Sequence, residues 1–158
     1  MRIGPATTAD IRAMMDLEAQ CDTAAHWSAE QYRQVFQAHQ EGPRQLALAV
    51  FEDTEAGSAK ASAFLGFLVA RNLAAEWELE NIVVSPAARR RGLGAALLEE
   101  LLIRTRASGS ESVFLEVRES NQSARSLYEK VGFQTAGRRK GYYFKPQEDA
   151  ILYRYDLL

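Results

Sequence analysis

An α/β fold, with helices packed on a mixed sheet, is what this 158-residue sequence predicts. Three observations carry that reading. Strand-like apolar segments and helix-period segments follow one another along the chain in mixed order. Leu93, Leu97, Leu98, Leu101 and Leu102 repeat at helical spacing between two such strand segments. Glycine, proline and capping residues stand where the periodicity switches. The predicted order is β-α-α-β-β-β-α-β-α-β-β, and the length predicts one domain over residues 1–158.

After a short first strand, Thr8 can cap a helix that runs through Met15 and Leu17. Ser28 with Gln31 is a capping-box signal for a second helix, Ala29–His39, which Gly42-Pro43 ends. Three strands follow, Gln45–Phe51, Ser62–Arg71 and Glu76–Val84, and Pro86 stops the third. The polar stretch Asp53–Ala61, with Gly57, reads as a long hairpin loop between the first two. Gly92–Ala107 is an amphipathic helix closed by Gly109. Val113–Val117 is a short buried strand. Ser120 or Asn121 caps the last helix, whose apolar face is Ala124, Leu127, Tyr128 and Val131, with Gly132 at its C-cap. Strands around Phe133–Arg138 and Ala150–Tyr155 complete the chain.

Composition narrows the function. With 47% hydrophobic and 25% charged residues the chain is too apolar for a disordered segment. Nineteen Lys and Arg against twenty-one Asp and Glu give a net charge of −2, which argues against nucleic acid as the main partner. Cys21 is alone, so the sequence predicts no internal disulfide and a cytoplasmic setting. Met1–Asp10 has no apolar signal core, and the most apolar run, Ala61–Ala70, is too short to span a bilayer. Two histidines and one cysteine argue against a metal site.

The informative junction is Glu80-Asn81-Ile82-Val83-Val84-Ser85-Pro86, then Ala87-Ala88-Arg89-Arg90-Arg91-Gly92-Leu93-Gly94. Glycines at a helix start let the backbone approach a ligand, and the free N–H groups with the helix dipole suit phosphate. Arg89, Arg90 and Arg91 add positive potential. A P-loop would need Gly-Lys-Ser/Thr, which is absent, and a dinucleotide fingerprint would need a small residue where Leu97 stands. The bland alternative is a capped helix beside a solvated arginine run. Two further residues stand out. Glu116 is a carboxylate inside the apolar strand Val113-Phe114-Leu115-Glu116-Val117-Arg118, where burial demands a partner or a function; it can also face solvent or pair with Arg118. Tyr128 lies on an apolar helix face, and packing alone would account for it.

Arg89-x-x-Gly92-x-Gly94, after a strand and before an amphipathic helix, resembles the pyrophosphate loop of the GNAT superfamily of acetyl-coenzyme A-dependent N-acetyltransferases. Leu115-Glu116-Val117-Arg118, Ser120-Asn121, Ala124, Leu127-Tyr128-Glu129 and Gly132-Phe133 resemble one branch in particular, the bacterial ribosomal-protein alanine N-acetyltransferases. So do Trp27-Ser28, Arg138-Arg139-Lys140-Gly141-Tyr142-Tyr143 and Glu148-Asp149-Ala150-Ile151. The resemblance covers most of the chain. It implies the GNAT fold, a mixed, mostly antiparallel twisted sheet of about seven strands with about four helices. It also implies acetyl transfer from acetyl-coenzyme A to a primary amine by direct attack, the amine being a protein N-terminus.

By this resemblance Glu116 stands where the family places its general base, and Tyr128 where it places its general acid. Ile82, Val83 and Val84 would offer backbone to the pantetheine arm and thioester, with a backbone N–H at Val83–Val84 at the oxyanion. Arg89, Arg90, Arg91, Gly92, Leu93, Gly94 and Ala95 would cradle the pyrophosphate, and Asn121 would hold the pantetheine arm. Tyr142 and Tyr143, read as part of the loop between the last two strands, would contact the acceptor. Departures from the family gather on the acceptor side: His26 for a proline, an enlarged loop at Asp53–Ala61 and a shortened segment after Tyr143. Ser85 also replaces an Asp common before Pro86.

Alternatives remain at this stage. Glu76, Glu78 and Glu80 alternate on one strand, so they share a face. They form a solvated acidic face, a rival base, or, as Glu78 and Glu80, an attraction for a cationic acceptor. Arg138, Arg139 and Lys140 read as a solvated run, and Cys21 as a buried structural thiol. The acceptor can instead be a small-molecule amine or a lysine side chain. A non-catalytic acetyl-coenzyme A-binding domain is a third reading, and the chain is expected to be a monomer or homodimer.

Overall fold

The computed structural model describes residues 1–22, 24–40, 42, 44–53 and 62–158. Most of the expected loop after Asp53, and Pro43 of the expected helix stop, lie outside them. The described elements, in chain order, are β1 (Arg2–Pro5), α1 (Ile11–Ala19), α2 (Ala29–Val35), β2 (Gln45–Glu52), β3 (Ala63–Leu73), β4 (Glu76–Val84), α3 (Leu93–Ala107), β5 (Ser112–Arg118), α4 (Gln122–Val131), β6 (Gln134–Tyr143) and β7 (Glu148–Asp156). This is the predicted order. The strands form one seven-stranded sheet, β1-β2-β3-β4-β5-β7-β6, in which β4–β5 is the parallel pair among antiparallel ones. Among the described residues no helix is long and apolar enough to cross a membrane.

Local chemistry accounts for most boundaries. The Ser28 hydroxyl accepts from Gln31 N at 3.2 Å and Gln31 Oε1 accepts from Ser28 N at 2.8 Å, a complete capping box at α2. That helix ends at Val35, not His39, because Phe36 already leaves helical geometry as its C-cap. Thr7, not Thr8, begins the first helical turn, its N–H donating to Asp10 Oδ2 at 2.8 Å. Asn121 is the residue that caps α4, and Gly132, at φ 117°, ends it in a left-handed conformation that other residues avoid. Tyr142 and Tyr143 are not in a loop: β6 continues through Arg138–Lys140 and the two tyrosines are its last residues.

Alternation along the strands feeds two apolar layers. Leu48, Val50, Leu68 and Ala70 join α3 and α4, while Ala47, Ala49, Phe67 and Val69 join α1 and α2. On β4 the layers switch. Trp77 and Leu79 enter the α3–α4 layer, but Val83 enters the α1–α2 layer. The cause is a bulge: Leu79 pairs with Ala70 and Asn81 with Val69, so Glu80 is one residue too many for the ladder.

The bulge is held from the α1 side by a buried polar cluster. Glu18 of α1 is 2% exposed, yet among the described residues no cation pairs with it. Its carboxylate accepts from Asn81 Nδ2 at 2.5 Å and from Trp27 N at 2.9 Å. Asn81 Nδ2 also reaches the Tyr32 hydroxyl at 3.3 Å. Burial first, then the hydrogen bond to Glu18, push the Tyr32 hydroxyl far above the ordinary tyrosine value. Truncating Glu18 removes the acceptor shared by the buried Asn81 amide and the Trp27 N–H. Glu18→Ala is therefore expected to destabilise the fold by about 3 kcal/mol. That lowers the melting temperature by roughly 9 °C for a chain of this length. A thermal melt within 2–3 °C of the parent would show that the cluster does not hold the fold.

Candidate functional site

The site lies where two neighbouring strands part. β4 and β5 pair only at Glu76–Ser112, Trp77–Val113 and Glu78–Phe114. Beyond that, β4 follows β3 and β5 follows β7 along their full lengths, so facing strand edges open into a wedge. The wedge continues into a cleft of about 1050 Å³ bounded by the ends of β4 and β5, the start of α3, and α4. This is the crevice beyond the carboxyl ends of parallel strands, where α/β sheets bind ligands.

Ile82, Val83 and Val84 form the β4 wall. A tight turn at Pro86–Ala88 then leads into α3. Arg90 and Gly92 both take positive φ, 65° and 75°, and Gly92 caps α3 with no side chain of its own. The first α3 N–H groups therefore have no capping side chain. Gly94 is small because Leu127 of α4 packs on it: an added Cβ would lie 2.9 Å from Leu127 Cδ2. Arg89, Arg90, Gly92, Leu93, Gly94 and Ala95 all line the cleft. Arg91 does not; its guanidinium pairs with Glu52 at 3.0 Å. Two cations without an ion-pair partner among the described residues and an uncapped helix N-terminus make this end suited to a polyanion.

The other wall carries the proton-transfer candidates. Val113, Leu115 and Val117 of β5 enter the core, so Glu116 faces the opposite way. The apparent carboxylate in an apolar strand is thus not inside the core. Its side chain is 13% exposed and pairs with Arg139 Nε at 3.1 Å, not with Arg118. The negative charge of the Glu116 carboxylate is the chief cause pushing the Tyr142 hydroxyl up. Tyr128 reaches the cleft from α4. It is 6% exposed and packs obliquely on Phe133 and Tyr153, ring centroids 6.0 Å away. Burial, with a smaller effect of Tyr143, pushes its hydroxyl far above the ordinary value, so it stays protonated. Among the described residues that hydroxyl has no hydrogen-bond partner, and it is not sealed from the cleft. Asn121 lines the cleft beside it; its Oδ1 accepts from Ala124 N at 3.2 Å, which leaves its amide N–H groups for a ligand.

The acidic face of β4 is mostly neutralised. Glu76 pairs with Arg154 at 2.6 Å and Glu78 with Arg71 at 2.7 Å. Glu80, half-buried at the bulge, lines the cleft and, among the described residues, accepts only from the neutral Gln45 amide, at 2.8 Å. Burial raises its carboxyl above the usual range. Of the expected acceptor residues, Tyr143 and Glu80 line the cleft; Glu78 and Tyr142 do not, though the charge of Glu116 acts on the Tyr142 hydroxyl.

The sequence reading missed several neighbours. Arg138, Arg139 and Lys140 are not simply a solvated run: Arg139 binds Glu116, and Arg138 binds both Glu119 and Asp149 at 2.8 Å. Cys21, though buried, lines the cleft, with its Sγ 4.0 Å from Val84 O and 3.5 Å from Arg89 Nη2. Arg118, two residues after Glu116 and hence on its face, does not pair with Glu116 but with Glu148, at 3.3 Å.

The chain matches the sequence profile of the Acetyltransferase (GNAT) family over residues 11–133, well over half its length. It is 35% identical over 147 residues to the [ribosomal protein bS18]-alanine N-acetyltransferase of Escherichia coli, covering 92% of this chain and 90% of that one. Identity to the same-named protein of Haemophilus influenzae is 36% over 115 residues, 71% of this chain and 73% of that one. The crystal structure of the Escherichia coli ribosomal-protein-S18-alanine N-acetyltransferase superposes with a TM-score of 0.78 at 31% identity, covering 99% of this chain and 93% of that one.

Proposed function

The chain belongs to the GNAT acetyltransferase family, and we propose that it acetylates the N-terminal α-amine of a protein, an alanine terminus of a ribosomal protein being the first candidate. Acetyl-coenzyme A is the acetyl donor of this family, and the residues present fit it. The Arg89–Ala95 turn offers cations and free N–H groups to a pyrophosphate, the open edge of Ile82–Val84 offers backbone to a pantetheine arm, and the Asn121 amide can donate to that arm. Arg91, engaged with Glu52, is left out of the cradle.

Glu116 takes the proton of the attacking amine, directly or through a water, and Tyr128 returns one to the leaving thiolate. A backbone N–H at the Val83–Val84 edge stabilises the developing oxyanion. The amine must be neutral to attack. An α-amine of pKa roughly 7.8 is about a quarter neutral near pH 7.4, against about 0.1% for a lysine of pKa roughly 10.4. One carboxylate base, Glu116, therefore suffices for an N-terminus.

The observation that carries the choice of acceptor is the pairing of charges along β4 and at Glu116. Glu76, Glu78 and Glu116 each already have an arginine, and Glu80 alone of these has no ion-pair partner among the described residues. A polyamine would ask for several unpaired carboxylates; a chain terminus asks for one. The test is thiol release from acetyl-coenzyme A with short peptides beginning Ala, Ser, Met or a blocked residue, alongside a lysine-only peptide and spermidine. Turnover confined to free Ala and Ser termini is expected. Turnover on spermidine or lysine alone would overturn the choice of acceptor.

A further inference from the structure

We propose that Arg118 is a positioning residue that fixes the turn after Tyr143 against the end of β5 and so sets the acceptor side of the cleft. The inference rests on the reading above that places the acceptor at Glu116 and Tyr143. Arg118 reaches across to this turn with both ends of its guanidinium. Its Nη1 donates to Pro146 O at 3.1 Å and its Nη2 to Phe144 O at 3.2 Å. Its Cζ lies 4.4 Å from the centroid of the Tyr143 ring. Glu148 Oε2, 3.3 Å from Nη1, balances the charge. Only a planar fork with several donors meets two carbonyls, a carboxylate and a ring face together.

The turn needs such an anchor, because it has little apolar packing. Phe144 is 76% exposed and Tyr142 46%. β6 is the outer strand of the sheet and nearly all of it is exposed. Polar anchors thus locate Tyr142 and Tyr143 relative to Glu116. Glu148 extends the brace to the cofactor side, since its other oxygen accepts from the backbone N–H of Ser120, next to Asn121. Those hydrogen bonds with Ser120, and then the arginine, hold the Glu148 carboxyl below its usual range. One chain of contacts therefore runs from the turn beyond Tyr143 through Arg118 and Glu148 to the cap of α4.

The test varies acceptor and acetyl-coenzyme A separately in the full-length protein, using whichever amine the parent turns over. Arg118→Met is expected to lower kcat/KM for the acceptor by about 30-fold, mainly through KM, as misplacement of a substrate-positioning group does. The KM for acetyl-coenzyme A should stay within about twofold. Arg118→Lys keeps the charge and stem but not the fork, and should lose about fivefold on the acceptor alone. Acceptor kcat/KM within twofold of the parent in both variants would overturn the proposal, and so would equal losses on both substrates. If the methionine variant does not fold, the lysine variant decides by the same criterion. A parent active on spermidine but not on peptides would sink the N-terminal reading while still testing Arg118 on that amine.

Discussion

Glu116→Gln is expected to lower kcat by about 10³-fold while leaving the KM for acetyl-coenzyme A within about twofold. Glutamine keeps the shape of the side chain, but it cannot accept a proton. The geometry makes Glu116 both held and reachable. Its side chain is 13% exposed, and the Arg139 that pairs with it is 61% exposed. Such a half-open ion pair is weak, so an incoming amine can take the place of the guanidinium at modest cost. Glu80 is the competing base. It lines the same cleft, and burial raises its carboxyl, which favours proton uptake. But it is anchored at the bulge by Gln45, at 2.8 Å, and the acceptor-side tyrosines gather around Glu116 instead. Glu80→Gln should therefore cost less than about tenfold in kcat. Steady-state thiol release on the two variants decides the matter: if Glu116→Gln keeps its activity while Glu80→Gln loses it, the base is Glu80.

The extent to which this site was legible beforehand follows from the range of the forces involved. Ser28, Asn121 and Gly132 mark helix ends through contacts within a few residues, so a linear reading finds them. The cradle at Arg89–Ala95 is equally local. The bulge at Glu80 was not legible. Burial on β4 alternates from Glu76 to Val84 without a break, and what changes is the layer each buried residue enters. That change depends on register against β3, which no period-two pattern reveals. Glu116 was found, but its environment was not: Arg139 comes opposite it only because β7 and then β6 add outside β5. The burial of Glu18 was not legible locally, because it depends on Asn81, far along the chain, converging on it.

Tyr128→Phe is expected to lower kcat by about 10²-fold, with both KM values little changed and the fold intact. The ring contributes packing against Phe133 and Tyr153, and phenylalanine preserves it. What is lost is one O–H that has no hydrogen-bond partner among the described residues and borders the cleft. The raised hydroxyl value fixes the sign. A tyrosine held far above its ordinary pKa by burial keeps its proton throughout the working range, so it acts by donating and contributes no basic limb of its own near neutrality. A thiolate leaving beside it is the group that needs this proton. If Glu116 and Tyr128 serve one transition state, the double variant should fall by much less than the product of the single losses, about 10³-fold in place of 10⁵. Losses that multiply fully would mean that the two residues contribute independently of each other. A Tyr128→Phe enzyme with unchanged kcat would reduce Tyr128 to a packed aromatic and leave the leaving group to be protonated from water.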